Sequence, residues 1–322
     1  MEYFGGMGER ERTLVPRVDD DGSMFGMQFN LNLYYKDRVL EGALENGVAG
    51  FAGQLNRPRG TEQNYLWLAQ GAWKPHLTPK EFYSQYSQTL FGERAQRDMM
   101  EAFEALEENE ELLDWRGRKN FSCCSVIPEV AMAYRLYKQP NPFDGATDWS
   151  GFISASHEQI RYFTKSVRLL NRALSALNRA AQNVSPKGHE ELNYLRNKTE
   201  SYALLLQTLI AARRAYIAFD EAFRLRRTPV QPEFIRRLDE SMQLFTEARQ
   251  LGTKTTEKFA EVIDHTSDLG VLYRANLFLV TGLELVEQTM KNIHNYHHGR
   301  EYTRPVDWHR IYREFPQFAP QL

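Results

Sequence analysis

Apolar side chains recur at alternating steps of three and four through the second half of the chain, and that rhythm predicts long helices. Ile160, Phe163, Val167, Leu170, Leu174, Leu177 and Ala181 follow it without a break. Tyr202, Leu205, Leu209, Ala212, Tyr216, Phe219 and Phe223 repeat it, Ile235, Leu238, Met242 and Phe245 begin a third helix, and Leu272, Leu279, Leu283, Val286, Met290 and Ile293 mark a fourth. Each helix then carries one apolar stripe, the condition for packing side by side in a bundle. Ser185-Pro186-Lys187-Gly188 and Thr228-Pro229 interrupt the pattern, so the first three helices are expected to be antiparallel neighbours, with a softer break near Asp264 to Gly270.

The first third of the chain has a different rhythm. Thr13 to Val18 is a short β-compatible run, and Asn30 to Asn46 carries a helical face of Leu33, Val39, Leu40, Ala43 and Leu44 closed by Asn46-Gly47. Val48 to Ala52 is an apolar run bounded by Gly47 and Gly53, the pattern of a strand buried on both faces. A helix through Trp67 and Trp73 follows. The next helix start is spelled out locally: Thr78 caps, Pro79 suits the first helical position, Glu81 closes a capping box, Leu77 and Phe82 stand at staple spacing, and Gly92 ends the helix. Residues 13 to 73 thus read as β-loop-α-β-loop-α, an order that belongs in a parallel sheet covered by helices. Glu93 to Leu113 reads as an amphipathic helix with Ala95, Met99, Phe103 and Leu106 on one face and Glu104, Glu107, Glu108, Glu110 and Glu111 in solvent. Residues 114 to 153 are aromatic-rich, punctuated by Pro140, Pro142 and Gly145, and read as irregular.

The run NYLWLAQGAWKPHLTPKEFYSQYSQTLFG, Asn64 to Gly92, resembles the segment that follows the last barrel strand in bacterial α-glucuronidases, where an Ala-Trp-x-Pro-x-Leu-[Ser/Thr] phrase recurs. The resemblance implies the last two β/α units of a (β/α)8 barrel followed by a helical C-terminal region. It implies hydrolysis of O-glycosidic bonds in a carbohydrate substrate, with the proton donor on an earlier strand, so that this chain is incomplete for catalysis alone. The expected fold is mostly α with a small α/β part: barrel-like units over 1–92, a connecting helix and irregular segment over 93–150, and a long-helix antiparallel bundle over 151–322. The competing expectation is a non-catalytic helical scaffold or dimerisation module.

Composition narrows the alternatives. Among 322 residues, 42% are hydrophobic and 12% aromatic, enough for a substantial core. A net charge of −2 gives no bulk attraction to nucleic acid or an anionic membrane, and no apolar run approaches the roughly 20 residues of a membrane span. The first residues carry neither the basic nor the apolar region of a secretory signal, and the two cysteines, Cys123 and Cys124, are adjacent, which does not suit a disulfide. No Gly-rich phosphate loop, G-x-S-x-G or H-E-x-x-H phrase is present, and no cofactor is expected.

Glycoside cleavage uses two carboxyl groups, and Asp19, Asp20 and Asp21 stand directly after the first strand-like run as candidate catalytic acids or, alternatively, as a solvated turn. Asn56, Arg57, Arg59 and Glu62 follow the second run as candidate substrate contacts. A guanidinium there can hold a sugar carboxylate bidentately, or pair with Glu62 or the aspartates instead. Trp67 and Trp73 offer rings for sugar stacking or for packing. His294, His297 and His298 share one side of the last helix at the spacing of metal ligands. No fourth ligand is evident, so they read as cations at a helix C-terminus and no metal is expected. The patch Arg213-Arg214 through Arg224-Arg226-Arg227, interleaved with Asp220 and Glu221, reads as a solvated helix face. An unpaired strand edge left by an incomplete barrel predicts self-association or a need for the missing N-terminal barrel portion.

Overall fold

The computed structural model describes residues 62–113 except 75, 128–138, 149–225, and 231–299 except 265, with isolated positions between 13 and 59 and at 313. Nine α-helices account for almost all of these. In chain order they are α1 (Glu62–Trp73), α2 (Pro79–Phe91), α3 (Glu93–Leu113), α4 (Pro128–Lys138), α5 (Trp149–Ala180), α6 (His189–Leu225), α7 (Gln231–Ala260), α8 (Thr266–Ala275) and α9 (Leu283–His297).

The barrel expectation is overturned. The only extended pairing among the described residues is β1 (Thr13–Leu14) beside β2 (Gly50–Phe51), parallel, two residues each, in register Thr13 with Gly50 and Leu14 with Phe51. Among the described residues the fold is helical and bundle-like, with no barrel units. The physical reason is that both strand-like runs do contribute to a sheet, but two strands of two residues pair with each other without specifying the further strands that close a barrel. Leu33, Leu40 and Ala43 in the preceding helical face are buried, as their spacing predicts.

The chain divides into two compact units, one of residues 1–123 and 168–200, the other of 124–167 and 201–322. In the first, α2 begins on the capping box read from sequence: the Glu81 N–H donates to Thr78 Oγ1 at 3.3 Å, and the Thr78 N–H to Glu81 Oε2 at 3.0 Å. Leu77 and Phe82 are both buried, which fixes the angle of entry. Helix α2 packs on α3 through Tyr83, whose ring stacks on Phe103 at 4.9 Å. The end of α2 is closed by a distant turn. Ser185 donates its N–H to Phe91 O (2.7 Å) and its hydroxyl to Leu90 O (3.0 Å), two carbonyls the helix itself leaves unpaired. Gly188 lies so close that a Cβ there would sit 2.7 Å from Leu90 O.

The acid run of α3 is not uniformly solvated. Glu107 and Glu110 are buried, and Glu107 Oε1 accepts from Leu33 N–H at 2.8 Å and Tyr83 O–H at 2.5 Å. Glu104 and Glu108 pair with Arg172, and Asp98 and Glu101 with Arg179, so the second half of α5 runs antiparallel to α3. Phe163, Leu170 and Leu177 of the predicted α5 stripe are buried.

In the second unit, Trp149, Phe152 and Ser156 of α5 meet Asp220, Tyr216 and Arg213 of α6; Ala215 and Thr208 of α6 meet Ser241 and Thr255 of α7; and Asp239 and Gly252 of α7 meet His294 and Leu279 at the other end. Each pairing is antiparallel, and Tyr216, Phe219, Phe245 and Phe278 fill the middle. Burial of each such ring contributes about 1.5–3 kcal/mol. Between α8 and α9 the helix widens into a π segment, Asn276–Gly282. Gly252 of α7 faces it closely, and a Cβ there would collide with the Leu279 carbonyl. The run Asp268–His297 is long and apolar enough to cross a membrane by composition, a length the sequence reading denied, but 56% of its most apolar window is buried inside the protein, as in a core helix.

The arginine patch of α6 is corrected in one essential respect. Arg213 is buried, its Nε 2.7 Å from Oε1 of Glu129, which is wholly buried on α4 within the stretch read as irregular. Its guanidinium lies 5.6 and 5.8 Å from the ring centres of Phe152 and Phe163. Asp220 is buried too, accepting from the Trp149 indole at 2.8 Å.

Candidate functional site

The first unit gathers charged groups where α1 and α6 begin. Glu62 opens α1, and one of its oxygens accepts a short hydrogen bond from the Tyr86 hydroxyl of α2. Gln63 Nε2 donates to the same hydroxyl at 3.2 Å. Glu190 and Glu191 form the first turn of α6, where a helix N-terminus favours carboxylates. Arg59 spans them, with Nη2 3.2 Å from Glu190 Oε1 and Nε 3.3 Å from Glu191 Oε2. Its guanidinium carbon lies over the Tyr194 ring, 4.4 Å from the ring centre, and Tyr194 O–H returns a hydrogen bond to Arg59 O at 3.2 Å. Lys198, one turn further on, points its ammonium toward the same ring at 5.9 Å and toward Phe29 at 4.8 Å.

The electrostatics act most strongly on Glu191. Burial, followed by the nearby charge of Glu62, pushes the Glu191 carboxyl up to about 7, against the pull of Arg59 and Lys198. Its Oε1 is buried with no hydrogen-bond partner among the described residues. Glu191 is therefore able to hold a proton at pH values where an ordinary glutamate is ionised. Burial and the charge of Glu62 also raise Tyr86, so that it stays a donor. Tyr65 is raised by its own partial burial and then by Glu62 and Glu191. Such a site can present a carboxyl as a proton or hydrogen-bond donor, and it holds a guanidinium whose outer partner, Glu190, is 87% exposed and replaceable.

Of the tentative site residues, Arg59 and Glu62 meet in this cluster, with Arg59 paired to Glu190 and Glu191. Asp19, Asp20, Asp21, Asn56 and Arg57 lie outside the described residues. Trp67 is fully buried and packs, whereas Trp73 is 89% exposed. Glu190, Glu191, Tyr86 and Tyr194 were not found from sequence. The one available signal was the acid pair opening a helix directly after the Ser185–Gly188 break.

The histidines of α9 separate by role. His297 packs edge-on against Phe223 (5.6 Å) and Phe234 (5.2 Å). His294 and His298 turn to Asp239, whose carboxyl burial alone would raise but whose hydrogen bonds from the two rings hold below the usual range.

Comparison of the chain with family models, curated proteins and solved structures found no match.

Proposed function

We propose that the chain is a helical portion of a carbohydrate-active enzyme that hydrolyses O-glycosidic bonds, and that the Arg59, Glu62 and Glu191 cluster forms the part of its site that takes an acidic sugar. The observation that supports this is the convergence of two carboxyls, Glu62 and the buried Glu191, beside a guanidinium. Glycosidic cleavage needs a carboxyl that can hold and give a proton, and the raised carboxyl of Glu191 is such a group. A sugar carboxylate displaces Glu190 from Arg59, and protonated Glu191 donates to a sugar oxygen. The cluster is incomplete for the whole reaction and contributes binding and proton-holding groups.

The second reading is a non-catalytic scaffold or dimerisation module, and the pairing of Arg59 with both Glu190 and Glu191 favours it. One experiment separates them. Hydrolysis of 4-nitrophenyl uronides and neutral glycosides is measured in this chain and in any longer polypeptide that contains it. On the enzyme reading, Arg59→Ala raises KM for the uronide by about tenfold or more and leaves the neutral substrate nearly unchanged, because a bidentate ion pair is lost for one substrate only. Equal losses on both, or no turnover of any glycoside, give the scaffold reading.

A further inference from the structure

His294 and His298 stand one turn apart where α9 ends, and Asp239 faces them from α7. Nε2 of His294 lies 2.6 Å, and Nε2 of His298 3.0 Å, from the same oxygen, Asp239 Oδ1. The two rings are 4.3 Å apart between centres, and one ligand atom from each of the three residues falls within 4.8 Å of the others. Two nitrogens and a carboxylate oxygen thus converge on one point.

Three features argue for an ion at that point. The carboxylate carries a negative charge, and the last carbonyls of α9 add the negative end of the helix dipole, so the location favours positive charge beyond what two neutral imidazoles supply. Approach is open from water, because Asp239 is 46% exposed, while the intervening His297 turns away to pack on Phe223 and Phe234. The distances also suit: ligand atoms around a tetrahedral ion with bonds of about 2.1 Å stand about 3.4 Å apart, so rotations of the side chains by roughly 1 Å form the site without moving a helix.

We propose that Asp239, His294 and His298 bind a divalent transition-metal ion of the Zn(II) class, through two imidazole nitrogens and one carboxylate oxygen, with the remaining position left to water. Two imidazoles select a borderline ion such as Zn(II), Co(II) or Ni(II) over Mg(II) and Ca(II), which take oxygen ligands. Three protein ligands with an open position is the composition of a reactive rather than a closed structural site. The inference is independent of the carboxyl cluster in the first unit.

The test uses the full chain stripped with EDTA and titrated with ZnSO4 by calorimetry and with CoCl2 by visible absorption. One ion binds per chain, at about micromolar Kd or tighter, and Zn(II) raises Tm as ligand linkage requires. Asp239→Asn, His294→Gln and His298→Gln each weaken binding by about tenfold or more, while His157→Gln, at an exposed position on α5, leaves it unchanged. For any variant that does not fold, the wild-type protein gives the answer by NMR: Zn(II) shifts the His294 and His298 ring signals together. Absence of stoichiometric binding, binding indifferent to all three variants, or shifts confined to other histidines overturns the proposal.

Discussion

A single carboxyl in the first unit ties stability to pH with a definite sign. The folded-state pKa of Glu191 is raised above the ordinary glutamate value of 4.5 to about 7, so its contribution to stability is full below the lower value and is lost as pH rises through the upper one. At about 1.4 kcal/mol per tenfold change in proton affinity, the swing approaches about 3 kcal/mol. Urea unfolding from pH 4.5 to 8 should show Glu191→Gln losing that decline, so that it gains on the wild type as pH rises. Parallel curves would mean that the carboxyl is hydrated and ordinary. Little of this was legible in the sequence. Arg59 and Glu62 stood out as polar groups after an apolar run, but the partner Glu191 lies 132 positions beyond Arg59, and no local pattern links them. Arg213 was misread for the same reason. Its neighbours on α6 are charged and its counter-ion, Glu129, comes from another helix, whereas removing one member of such a buried pair leaves an uncompensated charge.

Elements were more legible than contacts. The capping box of α2 and the stripes of α5, α6, α7 and α9 depend on spacing within ten or so residues, and spacing is what a sequence displays. The strand reading of Val48 to Ala52 holds at Gly50–Phe51, which pairs in parallel with Thr13–Leu14; what failed was the step from two short runs to part of a barrel, because pairing two strands does not specify the further strands a barrel needs. The π segment left no sequence mark, and glycine substitution tests its fit. Within a helix Gly→Ala ordinarily gains up to about 1 kcal/mol. At Gly270 on α8, with nothing within 4 Å of an added Cβ, that gain is expected. At Gly252 the methyl meets the Leu279 carbonyl and sits 2.7 Å from Leu283 Cδ1. Backbone does not yield as a side-chain tip does, so Gly252→Ala should lose about 1–3 kcal/mol. Urea unfolding of both variants checks the pair, and a stabilised Gly252→Ala would show that α7 and the π segment are not in close contact.

At the scale of the whole molecule, the division into units runs across the sequence rather than along it. The first unit needs residues 168–200, which bring Arg172, Arg179, Ser185 and Glu191 to partners in residues 59–108. A fragment ending at residue 123 should therefore show weak helicity by circular dichroism and rapid amide exchange in α2 and α3, and addition of a 168–200 peptide should slow that exchange. Full protection in the fragment alone would refute the dependence. The same interleaving sets an order of events at the ribosome. The first unit, although its opening residues emerge earliest, stays open until residue 200 has left the tunnel, and by then α4 and the start of α5 are already waiting for helices not yet made. At 5–20 residues per second the open interval lasts roughly several seconds. During synthesis the buried faces of α2 and α3 are exposed together, so this chain offers chaperones a long-lived client state that a chain with consecutive domains avoids.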